Sequence, residues 1–280
     1  MPTAPSPPKN TPLTLWHLLS LDAPTVAVLW TCFIAASNRI HLPLSSPIAM
    51  FIAVWMLYAA DRLLDAQSPN EVTLETRHRF HHRHRSAFLT GILLASIGLA
   101  ILLPRLSPEA IHLYLILGGL VFGYFIVIHA TQSAHRLPKE LAVGICFAAA
   151  TFIPTIARQP ELRLALLPSA LLFATLCSLN CLFIYAWEHD PSHAAQYPAH
   201  ATTRFALRHL PLLASVITII GTALALLNHQ APWPIPLATA LSASLLLLIH
   251  QRRRNISPVT LRATADLALL TPFLLLPLLK

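Results

Sequence analysis

Long apolar runs with almost no charge follow one another through nearly the whole chain, and they constrain its fold more than any motif does. Nine can be delimited: Ala23–Ser37, Pro47–Leu64, Ala87–Leu103, Ala110–Ala130, Leu141–Ala157, Leu164–Trp187, Phe205–Leu227, Ile235–His250 and Val259–Leu279. A hydrocarbon core of about 30 Å needs roughly 20 helical residues at about 1.5 Å each. Most of the runs meet that length; the first and eighth are short. The 280 residues are 55% hydrophobic and 11% charged, with mean hydropathy +0.62. A soluble protein of this size could not hide so much apolar surface. The expected class is therefore all-α, a polytopic membrane protein of about nine transmembrane helices.

The chain begins MPTAPSPPKNTP, Pro-rich and polar. No basic stretch leads directly into an apolar one, so a cleaved signal peptide is not expected. Residues 1–22 read as a short disordered cytosolic tail and 23–280 as a single transmembrane domain. The formal charge of +8 would suggest nucleic acid in a soluble protein. Here the cations cluster in short loops, which points to membrane orientation and anionic ligands rather than nucleic acid. With the N-terminus in the cytosol, the inner loops hold Lys9, Arg62, Arg77, Arg79, Arg83, Arg85, Arg136, Lys139, Arg204, Arg208, Arg252, Arg253, Arg254 and Arg262. The outer ones hold only Arg39, Arg105, Arg158, Arg163 and Lys280. This asymmetry predicts an inner-membrane, multi-pass protein with its N-terminus inside and its C-terminus outside. Cys32, Cys146, Cys177 and Cys181 all lie in apolar runs without metal-type spacing and read as small packing residues.

Charge beside a membrane is costly, so the charged ends of the runs are the candidates for function. The second run ends YAADRLLDA. On a helix Asp61 and Asp65 are one turn apart, with carboxylates about 6 Å from each other, and Tyr58 shares their face. Two unpaired carboxylates so placed repel, and a hard divalent cation such as Mg²⁺ relieves that repulsion while sharing its shell with phosphate. Pairing with Arg62 or with loop arginines would also relieve it. The following loop carries Arg77, Arg79, Arg83 and Arg85 among His78, His81, His82 and His84. Arginine grips phosphate oxygens in pairs. The same loop could equally contact anionic lipid, or hold zinc or nickel through its histidines.

The sixth run ends LNCLFIYAWEHD. It places Asn180, Ile184 and Glu188 on one stripe, with Tyr185 beside it and Asp190 just beyond. Asn180 lies about two turns inside the membrane, where it must face protein or water or make an interhelical hydrogen bond. Lys139 opens the fifth run, able to reach a phosphate or to snorkel to the interface. Gly144 and Pro154 in that run permit close packing or a kink. With the N-terminus inside, all three segments face the cytosol.

In their order, these elements resemble the UbiA superfamily of intramembrane prenyltransferases. That family's first motif, NDxxDxxxD, ends its second helix, and Asp61 and Asp65 match its last two aspartates. Leu57 and Tyr58 stand where the family has Asn and Asp. The second acidic motif ends the family's sixth helix, where this chain has Asn180, Glu188 and Asp190. HATQSAHRLPKELAVGICFAAATFIP places Thr131, Lys139, Gly144 and Pro154 as the family's fourth-to-fifth connection does. The resemblance implies a UbiA-like bundle with Mg²⁺ held by Asp61, Asp65, Glu188 and Asp190. It implies substrate contacts from Tyr58, Arg62, Arg77, Arg79, Arg83, Lys139, Asn180 and Tyr185, with Trp55 and Trp187 as further candidates to shield an allylic cation. The reaction implied is transfer of a prenyl group from a prenyl diphosphate to an aromatic or lipid acceptor. A non-catalytic scaffold of the same fold is one alternative. A transporter or metal-handling protein using the His-rich loop is the other.

Overall fold

A computed structural model describes residues 12–65, 76–131, 138–188, 200–228, 232–256 and 258–279. Every regular element among them is helical. In chain order these are α1 (Pro12–Leu18), α2 (Asp22–Ser37), α3 (Ser45–Asp65), α4 (Thr76–Arg83), α5 (Arg85–Leu102), α6 (Pro108–Thr131) and α7 (Lys139–Arg158). There follow α8 (Arg163–Glu188), α9 (Ala201–Arg208), α10 (Leu210–Leu227), α11 (Pro234–Arg252), α12 (Pro258–Leu267) and α13 (Pro272–Leu275), the last two joined through a 3-10 turn.

Among the described residues, seven helical segments are long and apolar enough to cross a membrane, and eight if the bent pair α1–α2 is one span. All nine expected apolar runs are helical; the run Ala110–Ala130 lies in α6, of which Pro108–Tyr124 is a shorter apolar helix. The chain is an all-α, multi-pass membrane protein. Helices without a polar side suit such a setting, because lipid is as apolar as the core. Accordingly Leu93, Leu94 and Ile101 of α5 and Leu115, Leu120 and Phe122 of α6 point outward.

The core centres on α8. Phe173, Leu176 and Phe183 are fully buried, and Trp30 of α2 lies on Phe173 with ring centroids 4.0 Å apart. The indole N–H of Trp30 donates to the Leu269 carbonyl at 2.8 Å, tying α2 to the turn after α12. Hydroxyls within the helices mostly bond back to carbonyls one turn earlier, as Thr175 does to Leu171 and Thr239 to Ile235. A buried hydroxyl thereby finds an acceptor without a partner helix.

Residues 12–22 are not simply a tail. From Pro12 the chain is helical, and Thr14, His17, Leu18 and Ser20 are buried. α1 ends when Ser20 adopts φ 59°, with the Ser20 N–H on the His17 carbonyl and the Leu21 N–H on the Trp16 carbonyl. That is the hydrogen-bond pair of a Schellman end, here without the usual glycine. The chain then turns by 89° into α2.

Candidate functional site

A helix break inside an apolar protein leaves backbone groups that water cannot reach, so they must be met by side chains. Two residues of α3 do this. Arg62 donates through Nη1 to the His17 carbonyl at 2.6 Å, and Trp55 donates its indole N–H to the Leu19 carbonyl at 3.1 Å. Asp22 opens α2, where a carboxylate suits the positive end of the helix dipole. Its Oδ1 accepts the Ala23 N–H at 3.1 Å. Its Oδ2 faces His17 Nδ1 at 2.6 Å and accepts from Arg62 Nη2 at 3.3 Å. Side-chain exposure is 2% for both His17 and Asp22 and 6% for Arg62, so this set is sealed from solvent.

The break also collects groups from distant parts of the chain. Asp266 of α12 joins His17 and Asp22, with one ligand atom from each of the three lying within 4.8 Å of the others. Asn180 of α8 donates through Nδ2 to Asp266 Oδ1 at 3.0 Å. Its own Oδ1 is buried without a hydrogen-bond partner. Tyr58, one turn before Arg62 on α3, lies within electrostatic range of Asp22, Arg62, Asp266 and Cys181. Ser20, on the break itself, meets His81 Nε2 at 3.2 Å, and His81 is fully buried.

The two helices expected to carry the site run the same way. α3 starts where the Ser45 hydroxyl bonds the Arg105 carbonyl, and α8 starts where Arg163 pairs with Glu109 four residues further on. Both then run to the end that holds the polar cluster. Lys139 begins α7 at that same end, beside Glu140, which accepts from Thr203 of α9 at 3.0 Å. Trp187, near the end of α8, donates to His250 Nδ1 of α11 at 3.0 Å.

Of the expected site residues, Arg62 and Asn180 bond into this cluster, and Tyr58 packs beside it against the start of α2. Asp61 is half-buried in the last turn of α3 and is not one of the three grouped ligands. Lys139 and Arg83 are exposed, and Tyr185 and Trp187 are half-buried. The side chains of Asp65, Arg77, Arg79 and Glu188, and all of Asp190, lie outside the described residues. His17, Asp22 and Asp266 were not singled out by sequence. For Asp266 a signal existed: it is the only acidic residue between Val259 and Leu279. Asp22 stands one residue before the first run, and nothing local shows that the chain turns back there. The four cysteines are free thiols.

No known family model, curated protein or solved structure matches this chain.

Proposed function

We propose that this protein is a UbiA-like intramembrane prenyltransferase, moving a prenyl group from a prenyl diphosphate to an aromatic or lipid acceptor. The observation that carries the reading is the shared polar network: Arg62 of α3 bonds Asp22, Asn180 of α8 bonds Asp266, and Asp22 and Asp266 lie together. A transferase of this type needs its second and sixth apolar runs to bring polar groups to one end of the bundle. That end is also rich in cations: Arg62, Arg83, Arg85, Lys139, Arg204, Arg208, Arg252, Arg253, Arg254 and Arg262 belong to elements that begin or finish there. Under the positive-inside rule it faces the cytosol.

Asp61, Asp65, Glu188 and Asp190 would hold Mg²⁺; all four are carboxylates, the hard donors that ion takes. When bound, it would neutralise the diphosphate. Lys139 and the arginines of 77–85 would bind the remaining phosphate oxygens. Charge grows on the diphosphate as the C1–O bond breaks, so cations fixed beside it favour the transition state over the ground state. Tyr58 and Tyr185, with Trp55 and Trp187, would turn ring faces to the allylic cation and exclude water.

The test uses the purified full-length protein with Mg²⁺ and labelled prenyl diphosphates of several lengths. Diphosphate release and a prenylated product are expected, with Asp61→Ala abolishing both while membrane protein levels hold. Transfer retained in Asp61→Ala, or no release from any donor, overturns the reading. A second reading, a transporter or metal-handling protein, is favoured by one observation: a helix pair broken by 89° around buried charges. Broken helices with polar side chains at the gap are a recurrent way to hold a cargo ion in a membrane. It predicts flux across vesicles without any product.

A further inference from the structure

We infer that His17, Asp22, Asp266 and the side-chain oxygen of Asn180 form a binding site for a first-row divalent cation of the Mn²⁺ or Zn²⁺ kind. The site is separate from the carboxylates assigned to Mg²⁺ above, and the inference does not depend on prenyl transfer.

Four elements converge on this point: α1 supplies an imidazole, α2 and α12 a carboxylate each, and α8 an amide. The imidazole and both carboxylates each offer an atom within 4.8 Å of the others. Two ligands bonded to one ion at about 2.1 Å sit roughly 3 Å apart, so a 4.8 Å cluster closes on a cation by small side-chain rotations. His17 Nδ1 and Asp22 Oδ2, now 2.6 Å apart, need to open by only a few tenths of an ångström. The cation would then take the place of the proton they share.

The second observation is Asn180. The residue is 7% exposed, its Nδ2 is held on Asp266, and its Oδ1 is buried without a partner. A buried amide oxygen with no donor is costly. Asp266 orients the amide, because a carboxylate can accept only from the NH₂ side. The free oxygen belongs to the same amide as the nitrogen held on Asp266, so it stands beside the cluster, within reach of an ion bound there.

Charge points the same way. If both were ionised beside a neutral imidazole, Asp22 and Asp266 would set two negative charges against the single positive charge of Arg62. A buried excess of that kind is expensive and is relieved by a proton or by a metal ion. The mixed donors favour a borderline ion: imidazole suits zinc and iron, carboxylate and carbonyl oxygens suit manganese, and Mg²⁺ rarely takes nitrogen.

The experiment uses full-length protein in nanodiscs, stripped by chelator and titrated with Mn²⁺ followed by electron paramagnetic resonance, and separately with Zn²⁺. One bound Mn²⁺ per chain is expected, with nitrogen modulation from His17 in the spin-echo signal. His17→Gln should remove that modulation, and Asp266→Asn should weaken binding by tenfold or more. Asn180→Asp keeps the side chain's size and adds a charged donor, so it should tighten binding even if either of the other variants folds poorly. Asp61→Asn should leave this site unchanged, which separates it from the Mg²⁺ of the transfer reaction. No stoichiometric Mn²⁺ or Zn²⁺ in the wild type overturns the inference. So does binding that His17→Gln and Asp266→Asn leave intact, which would place the ion elsewhere, such as the His-rich loop. Unchanged affinity in Asn180→Asp would remove Asn180 from the site.

Discussion

Arg62 joins two problems that an apolar protein must solve together. One of its nitrogens gives the His17 carbonyl a second donor where α1 ends, and another neutralises the carboxylate that begins α2. Both partners are shut away from water, so removing the guanidinium exposes them at once. Truncating one member of a buried ion pair typically costs about 3–5 kcal/mol, much of it the charge left behind. Arg62→Met should therefore lower the thermal midpoint of the detergent-solubilised protein markedly. Asp22→Asn together with Arg62→Met should recover most of that loss, since neither charge then remains uncompensated. Equal destabilisation in the single and double variants would show that the carbonyl bond, not the charge pair, carries the effect. Trp30 is the apolar counterpart: wholly buried, packed on Phe173 and bonded to Leu269.

At the scale of elements, close approach is decided by residue size. α7 and α8 meet at Gly144, where an added Cβ would fall 2.1 Å from Ser178 Oγ, 2.5 Å from the Ser178 backbone nitrogen and 2.8 Å from the Ala174 carbonyl. Two of those three atoms are backbone and cannot rotate away. Gly144→Ala should push the helices apart and cost about 1–3 kcal/mol, as overpacking does. Adding Ser178→Ala should not rescue it. Gly118, on α6, meets nothing within 4 Å of its virtual Cβ. There alanine should be neutral or favourable by up to about 1 kcal/mol, because glycine is the poorer helix former. Parallel thermal melts of the two variants test the pair; similar behaviour would contradict the packing described.

For the molecule as a whole, the distribution of cations predicts orientation. Arg39, Arg105, Arg158 and Arg163 belong to the sparse end, opposite the polar cluster. From α12 the chain runs away from the cluster toward that sparse end. A periplasm-dependent reporter such as alkaline phosphatase, fused after Lys280, should be active, and a green fluorescent protein fused there dark. The reverse pattern would put the cluster on the outer face and remove the cytosolic supply of a diphosphate substrate.

Much of this architecture is legible in the sequence, because the cost of placing charge and unsatisfied backbone in lipid acts on every residue regardless of its neighbours. Uninterrupted apolar length determined that the chain forms membrane-spanning helices. The rare polar residues at the ends of α3 and α8 drew notice to Arg62 and Asn180, which the structure places on Asp22 and Asp266. Only the tertiary structure decided that His17, Asp22 and Asp266 complete that network. Their sequence separations, from Asp22 to Asp266, leave no local trace. It also decided that part of the Pro-rich beginning is a helix bent 89° from α2. A partner's identity is a property of three-dimensional proximity: Asp22 at a helix start could face solvent, lipid or another chain segment. It becomes a buried ion pair because α3 packs beside the break and presents Arg62 to it.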